Sequence, residues 1–179
     1  MEKRTELTRQ LIADTFKALM LRHPFEKISI LMIANEAGIR RPSFYNHFQD
    51  KYDLLTWIVD TEVIAPAEEP LRAGDRREAL HRLFTQLADN ALFYRRAFTV
   101  NGQNGFEGSF ILRMRELLLR SVPISGGVSE LLPPSDVAHF HAVCFVSVVR
   151  SWLESGKSIS PEELTDAYLY LVTHSVWAS

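Results

Sequence analysis

The chain has 179 residues, 46% apolar, 11% aromatic and 23% charged, the make-up of one or two domains that bury a core, which excludes a disordered or fibrous protein. Its net charge of −2 divides into +1 over residues 1–60 and −3 over residues 61–179, and is no nucleic-acid signature by itself, because such binding depends on local clusters of Lys and Arg. One cysteine, Cys144, excludes an internal disulfide and a cysteine-cluster zinc site, the start MEKRTELTRQ lacks a signal-peptide apolar run, and no apolar stretch reaches the roughly 18 residues of a membrane span; a cytoplasmic protein with no membrane partner is expected.

Helical periodicity runs throughout, and no alternating β-branched stretch exceeds a few residues, which predicts an all-α fold. A first helix is expected over about 5–22, where Leu7, Leu11, Ile12, Phe16 and Leu19 form one stripe; His23-Pro24 ends it. Ser29 is placed to cap a short helix reaching Ala37, with Ile30, Ile33, Ala34 and Ala37 inward, and Gly38 stops it. Another short helix should run from Arg41 to Phe48, with Phe44 and Phe48 one turn apart on its buried side. Asp50 reads as the N-cap of a helix holding Leu54, Leu55, Ile58 and Val59, with Asp53 near its positive end.

Pro66, Pro70 and Gly74 predict a boundary or sharp bend within residues 64–74. One long helix is expected from Asp75 to about Tyr94, on Leu80, Leu83, Phe84, Leu87 and Ala91, and another from Phe106 to Arg120, on Phe110, Met114, Leu117 and Leu118. Three prolines and two glycines within residues 122–134 mark an exposed loop. Two apolar helices close the chain, from Ser135 to Ser155 and from Ser160 to about Trp177. The second opens on Ser160-Pro161-Glu162-Glu163, a serine cap, a proline in the first turn and a capping-box glutamate.

The stretch from Ser29 to Phe48 carries the chemistry. Two short helices around a glycine turn cannot bury a core of their own, so the first helix is expected to brace them as a three-helix unit. With Phe44 and Phe48 committed to packing, Arg41, Ser43, Tyr45, Asn46 and His47 stay nearer solvent. Cations, hydroxyls, an amide and an imidazole pair with phosphate oxygens and base edges in a major groove. The same residues also suit a plain surface, with Arg40 and Arg41 as solvated charges and Tyr45 and His47 covering a neighbouring helix.

The run from Ile28 to Leu55, with Ile33-Ala34, Ala37-Gly38-Ile39, Phe44-Tyr45-x-x-Phe48 and Lys51-x-x-Leu54, resembles the DNA-binding domain of the TetR family of bacterial transcriptional regulators. That resemblance implies an N-terminal helix-turn-helix domain over residues 1–50 and a larger helical ligand-binding and dimerisation domain over residues 51–179, about nine helices in all. It implies that Tyr45 and His47 reach the DNA backbone and that Lys51 contacts phosphate from a helix N-terminus. It further implies that Arg40, Arg41, Pro42 and Ser43 approach base edges or nearby phosphates and that Ser29 meets phosphate; Asn46 joins them from its place on the same face. Two departures stand out. Arg40 occupies a position usually held by Ser or Thr, so the recognition helix is expected to lack its side-chain cap. Pro42 replaces a small or polar residue and donates no amide to phosphate. A narrower likeness, in "RRPSFYNHFQDKYDLLTWI" and in Tyr94 to Phe106 with "NGQNGF", points to the branch containing regulators of dihydroxyacetone kinase operons.

In the family the last two helices pair with their copies. Val143, Val146, Val148, Val149 and Trp152, with Leu164, Tyr168, Leu171, Val172 and Val176, supply more apolar surface than a domain of this size readily covers. Val148, Trp152, Tyr168, Leu171 and Val172 are the expected homodimer interface, an ordinary monomer core being the alternative. Phe93, Phe98, Phe106, Phe110 and Met114 are candidates to line a site for a small-molecule effector, although a stripe at helical spacing suits plain core as well. No cofactor is expected. His139, His141 and Cys144 do not share a helix face as an HExxH pair does, so no metal site is expected, and no catalytic motif appears. The expected function is a sequence-specific DNA-binding transcriptional regulator, not an enzyme. It would bind a palindromic operator in double-stranded DNA as a homodimer, as a repressor released by a small-molecule effector. The alternative is a transcriptional co-activator or protein-interaction module controlled by a protein partner, with its surface near residues 123–134.

Overall fold

The structure is a computed structural model and describes residues 2–102, 105–123 and 132–174; Val176 and most of the 123–134 loop lie outside the described residues. Among the described residues it is all-helical: α1 (Glu2–Met20), α2 (Ile30–Glu36), α3 (Arg41–Tyr45), α4 (Lys51–Ile58), α5 (Ala65–Arg72), α6 (Arg76–Asp89), α7 (Ala91–Ala97), α8 (Phe106–Ser121), α9 (Pro134–Ser155) and α10 (Pro161–Thr173). A 3-10 turn, Phe25–Lys27, follows α1. No described helix is long and apolar enough to cross a membrane.

The bend expected at Pro66 and Pro70 is absent. A π-helical stretch, Val59–Ile64, joins α4 to α5 in one unbroken rod. Pro66 falls in the first turn of α5, where a missing N–H costs little, and the wider turn ahead of it sends the Ala65 N–H to the Asp60 carbonyl. Pro70 deprives the Pro66 carbonyl of its intrahelical donor, and the Arg82 guanidinium of α6 donates to it at 3.3 Å. The rod stops at Gly74, whose φ of +85° is open to glycine. There the Asp75 N–H donates to Pro70 O (2.8 Å) and the Gly74 N–H to Leu71 O (3.0 Å), a Schellman closure.

The long helix expected from Asp75 to Tyr94 breaks at Asn90 (φ −122°, ψ 31°). The break turns Leu83, Phe84 and Leu87 of α6 and Phe93, Tyr94 and Ala97 of α7 onto one core, and all six are buried. Helix α10 ends at Thr173 rather than near Trp177, and α3 at Tyr45 rather than Phe48.

Helix α8 packs along α9, α6 against α5 and α10, and α7 against α9. Further side-chain ties hold the rod in place. Arg113 of α8 donates to both oxygens of Asp60 (2.8 and 2.9 Å from Nε). Lys17 of α1 donates to Glu62 (2.5 Å). The Arg96 guanidinium of α7 donates to the Met20 carbonyl at the end of α1 (2.6 Å), a cation at the helix's negative pole.

Several apolar residues lie elsewhere than expected. Val146, Val149, Leu164 and Tyr168 belong to the core of the single chain. Tyr168 is 7% exposed, its ring edge-on to Phe84 and Phe145, so of the expected interface it offers no surface. Val148 and Trp152 are half-buried, and Leu171 and Val172 are exposed. Periodicity marks an apolar face without saying whether its own chain or a copy covers it.

Candidate nucleic-acid interface

The short helix α3 is held by its dry side. Phe44 is fully buried, Phe48 nearly so, their centroids 5.8 Å apart, and Phe48 meets the Trp57 edge at 5.6 Å. The turn before it is a Schellman closure on Gly38 (φ +66°). The Ile39 N–H donates to Ala34 O (2.9 Å) and the Gly38 N–H to Asn35 O (3.2 Å), so a side chain at position 38 would strain the angle between α2 and α3. Ser29 caps α2, accepting from the Met32 N–H at 3.1 Å. Arg40 stands at the N-cap of α3 with no side-chain cap, as its chemistry requires.

Arg40, Arg41, Pro42, Tyr45 and Asn46 are exposed, Ser43 and His47 half-buried, and Ser29 exposed at the start of α2. These candidates are therefore reachable from solvent on the α2–α3 unit. Arg41 and Tyr45 form a pair on it: the guanidinium donates to the phenolic oxygen at 3.2 Å and lies 5.7 Å from the ring centroid. The Tyr45 ring rests edge-on against buried Phe44 (5.7 Å). The pair is thus braced from beneath while its polar ends stay in water.

His47 differs from the rest. Its Nδ1 is buried without a hydrogen-bond partner among the described residues. Burial, and then the neighbouring Arg9 charge from α1, push its pKa below the usual imidazole range, so it is neutral at neutral pH and brings a single N–H rather than a charge. Nothing local in the sequence shows Arg9 beside His47, because α1 and the turn after α3 come together only in the fold.

Lys51, at the start of α4, is committed in part to the fold. Its ammonium donates to the carbonyls of Phe25 (2.7 Å) and Ile28 (3.0 Å) and lies 4.2 Å from the Phe25 ring centroid. Burial lowers its pKa, opposed by Glu26 and Asp50. An ammonium has three donors, so one stays available for a phosphate. Asp50 caps the same helix, accepting from the Tyr52 and Asp53 N–H groups at 2.8 Å, and Asp53 returns a bond from the Gln49 N–H (2.9 Å). We expect Lys51→Met to lower stability in urea unfolding by about 1–3 kcal/mol, the cost of two stranded carbonyls, with an unchanged m-value. Stability equal to that of the natural chain would show that these bonds hold nothing.

A cavity of about 450 Å³ opens between α5, α6, α8, α9 and α10. Of the five residues expected to line an effector site, only Met114 borders this cavity. Phe93, Phe98, Phe106 and Phe110 instead fill the core: Phe98 meets Phe106 edge-on at 5.0 Å, and Phe110 meets Phe106 at 5.7 Å and Phe145 at 6.2 Å. The walls come from five helices, so no spacing within one of them discloses the cavity. Among the described residues no group of three or more His, Cys, Asp or Glu side chains is placed to hold a metal.

Comparison with known proteins agrees with this geometry. The family model described as "Bacterial regulatory proteins, tetR family" matches residues 12–56, which includes every candidate DNA-contacting residue. The TetR-type model "Transcriptional regulator C-terminal region" matches residues 75–174, more than half of the chain. The dhaKLM operon transcriptional activator DhaS of Lactococcus lactis subsp. lactis (strain IL1403) is 27% identical over 161 residues, 88% of this chain and 85% of that protein. The solved structure of a dihydroxyacetone kinase operon activator DhaS superposes with a TM-score of 0.65 at 26% identity, over 93% of this chain and 94% of that one. NalD of Pseudomonas aeruginosa, the secondary repressor of the MexAB-OprM multidrug efflux pump, shares the fold with a TM-score of 0.60 at 19% identity, over 96% of each chain.

Proposed function

Because the chain belongs to the TetR family of DNA-binding transcriptional regulators, we propose that it acts in the cytoplasm as a homodimer that binds a palindromic operator, residues 1–50 reading DNA and residues 51–179 regulating and dimerising. In this reading each protomer sets α3 in a major groove. Arg40, Arg41, Pro42, Ser43 and Asn46 face base edges and nearby phosphates, Tyr45 and the His47 N–H meet the backbone, and Ser29 and the third Lys51 donor grip phosphates at either side. The single observation that carries it is the braced pair of Arg41 and Tyr45 on the wet side of a helix whose other side is sealed by Phe44.

Dimerisation falls to α9 and α10, where Phe140 (64% exposed), Tyr170 (65%) and Leu171 (53%) stand in water on the single chain, and where Val148 and Trp152 of α9 are half-buried. Exposed rings and leucines of this kind are what a second copy would cover. In this reading the protein is a repressor, and an effector in the cavity releases the dimer from DNA. A second reading, activation under the control of a protein partner, is favoured by likeness to an activator over nearly the full length of both chains. Selection of bound fragments from random DNA, followed by hydroxyl-radical footprinting, tests the shared part of both readings. Two protected half-sites about one helical turn apart, centre to centre, are expected. A single asymmetric footprint, or no enrichment of any sequence, overturns it.

A further inference from the structure

We infer that the cavity between α5, α6, α8, α9 and α10 takes an amphipathic monocarboxylate, its apolar body inward and its carboxylate held at the rim by Arg76. This rests on the effector reading above and adds the chemical class of the ligand. The cavity has a gradient. Its floor is buried and apolar, built of Leu83, Met114, Phe145 and Tyr168, whereas Arg76 and His141 at its edge are exposed. No acidic side chain is among its described lining residues, so the charge they bring to the rim is that of the Arg76 guanidinium. An apolar body gains by leaving water for the floor, and a cationic or neutral head gains nothing at such a rim.

Arg76 is conspicuous among the arginines around it. Arg77 is held by both Asp166 and Glu162, Arg72 and Arg120 by Glu68, and Arg82 by Glu78. Arg76 has no side-chain hydrogen bond or ion pair with any described residue. A guanidinium fork left open at the mouth of an apolar cavity matches the two oxygens of a carboxylate. His141, also among the lining residues, adds an imidazole N–H. The volume, about 450 Å³, lies in the range of small-molecule sites and admits a medium-length alkyl chain or one or two aromatic rings.

The test is calorimetric titration of the full-length protein with octanoate and decanoate, with decanol and decylamine as controls, all below micellisation. Decanoate should bind roughly ten times or more tighter than decanol, the ratio of a charged hydrogen bond, and roughly tenfold or more tighter than octanoate at about fourfold per methylene. Arg76→Gln should erase the preference for decanoate over decanol while leaving decanol affinity and the melting temperature unchanged; Arg76→Lys should restore part of it. Equal binding of acid and alcohol, preference for the amine, or an unaltered preference in Arg76→Gln overturns the inference, as does the absence of binding by any of them. Operator affinity measured without ligand reports separately on the DNA-binding reading. Tight decanoate binding that leaves operator affinity unchanged upholds the ligand class and overturns release by it.

Discussion

Phe44→Ala is expected to cost about 3–5 kcal/mol of stability, the range for truncating a fully buried aromatic ring. Phe44 is 0% exposed and touches both Tyr45 and Phe48 in edge and tilted contacts. Its loss leaves a void under α3, a helix of only five residues that cannot persist on intrinsic propensity. The wet side would then lose its orientation even where the remainder stays folded. Amide exchange should rise first across α2 and α3, while α8 and α9 keep their protection, and specific DNA binding should vanish at temperatures where circular dichroism still shows most of the helix. Binding retained at full strength in a variant with a mobile α3 would mean that the helix is not the reading element.

The second large effect concerns assembly. Leu171→Glu places a charge in the exposed apolar group on α10 without touching the single-chain core, since Leu171 is 53% exposed. Sedimentation should then report one chain instead of two. Operator affinity should fall by about a hundredfold or more, the loss expected when two linked half-site contacts become independent. Tyr168→Glu is not an equivalent test, because Tyr168 lies in the core against Phe84 and Phe145, and its replacement unfolds the domain whatever the oligomeric state. An unchanged sedimentation mass for Leu171→Glu would remove α10 from the interface.

Much of the N-terminal helical unit was legible in the sequence because its determinants are local. Ser29, Gly38 and Asp50 act on amides within a turn of themselves, and Phe44 and Phe48 are one turn apart. The departures lie where distant parts of the chain decide the outcome. Pro66 and Pro70 signal a break, but a π turn and a guanidinium from α6 absorb both. Asn90 carries no strong stop signal, and the bend there follows from two apolar faces converging on one core. Lys51 resembles a phosphate contact in its local sequence, yet two of its donors go to carbonyls more than twenty residues away. The phenylalanines of α7 and α8 satisfy one another, and the cavity lies between helices that no single periodicity relates.

The most direct measurement is the affinity of purified Arg41→Gln and Tyr45→Ala for the selected operator, by fluorescence anisotropy between about 50 and 200 mM salt. Both side chains are exposed, so the melting temperature should stay that of the natural protein. Each variant should bind at least roughly tenfold more weakly, within the range for a lost base or backbone contact. Two well-folded variants that bind the operator as the natural protein does at every salt concentration would contradict the assignment of this side of α3 to DNA.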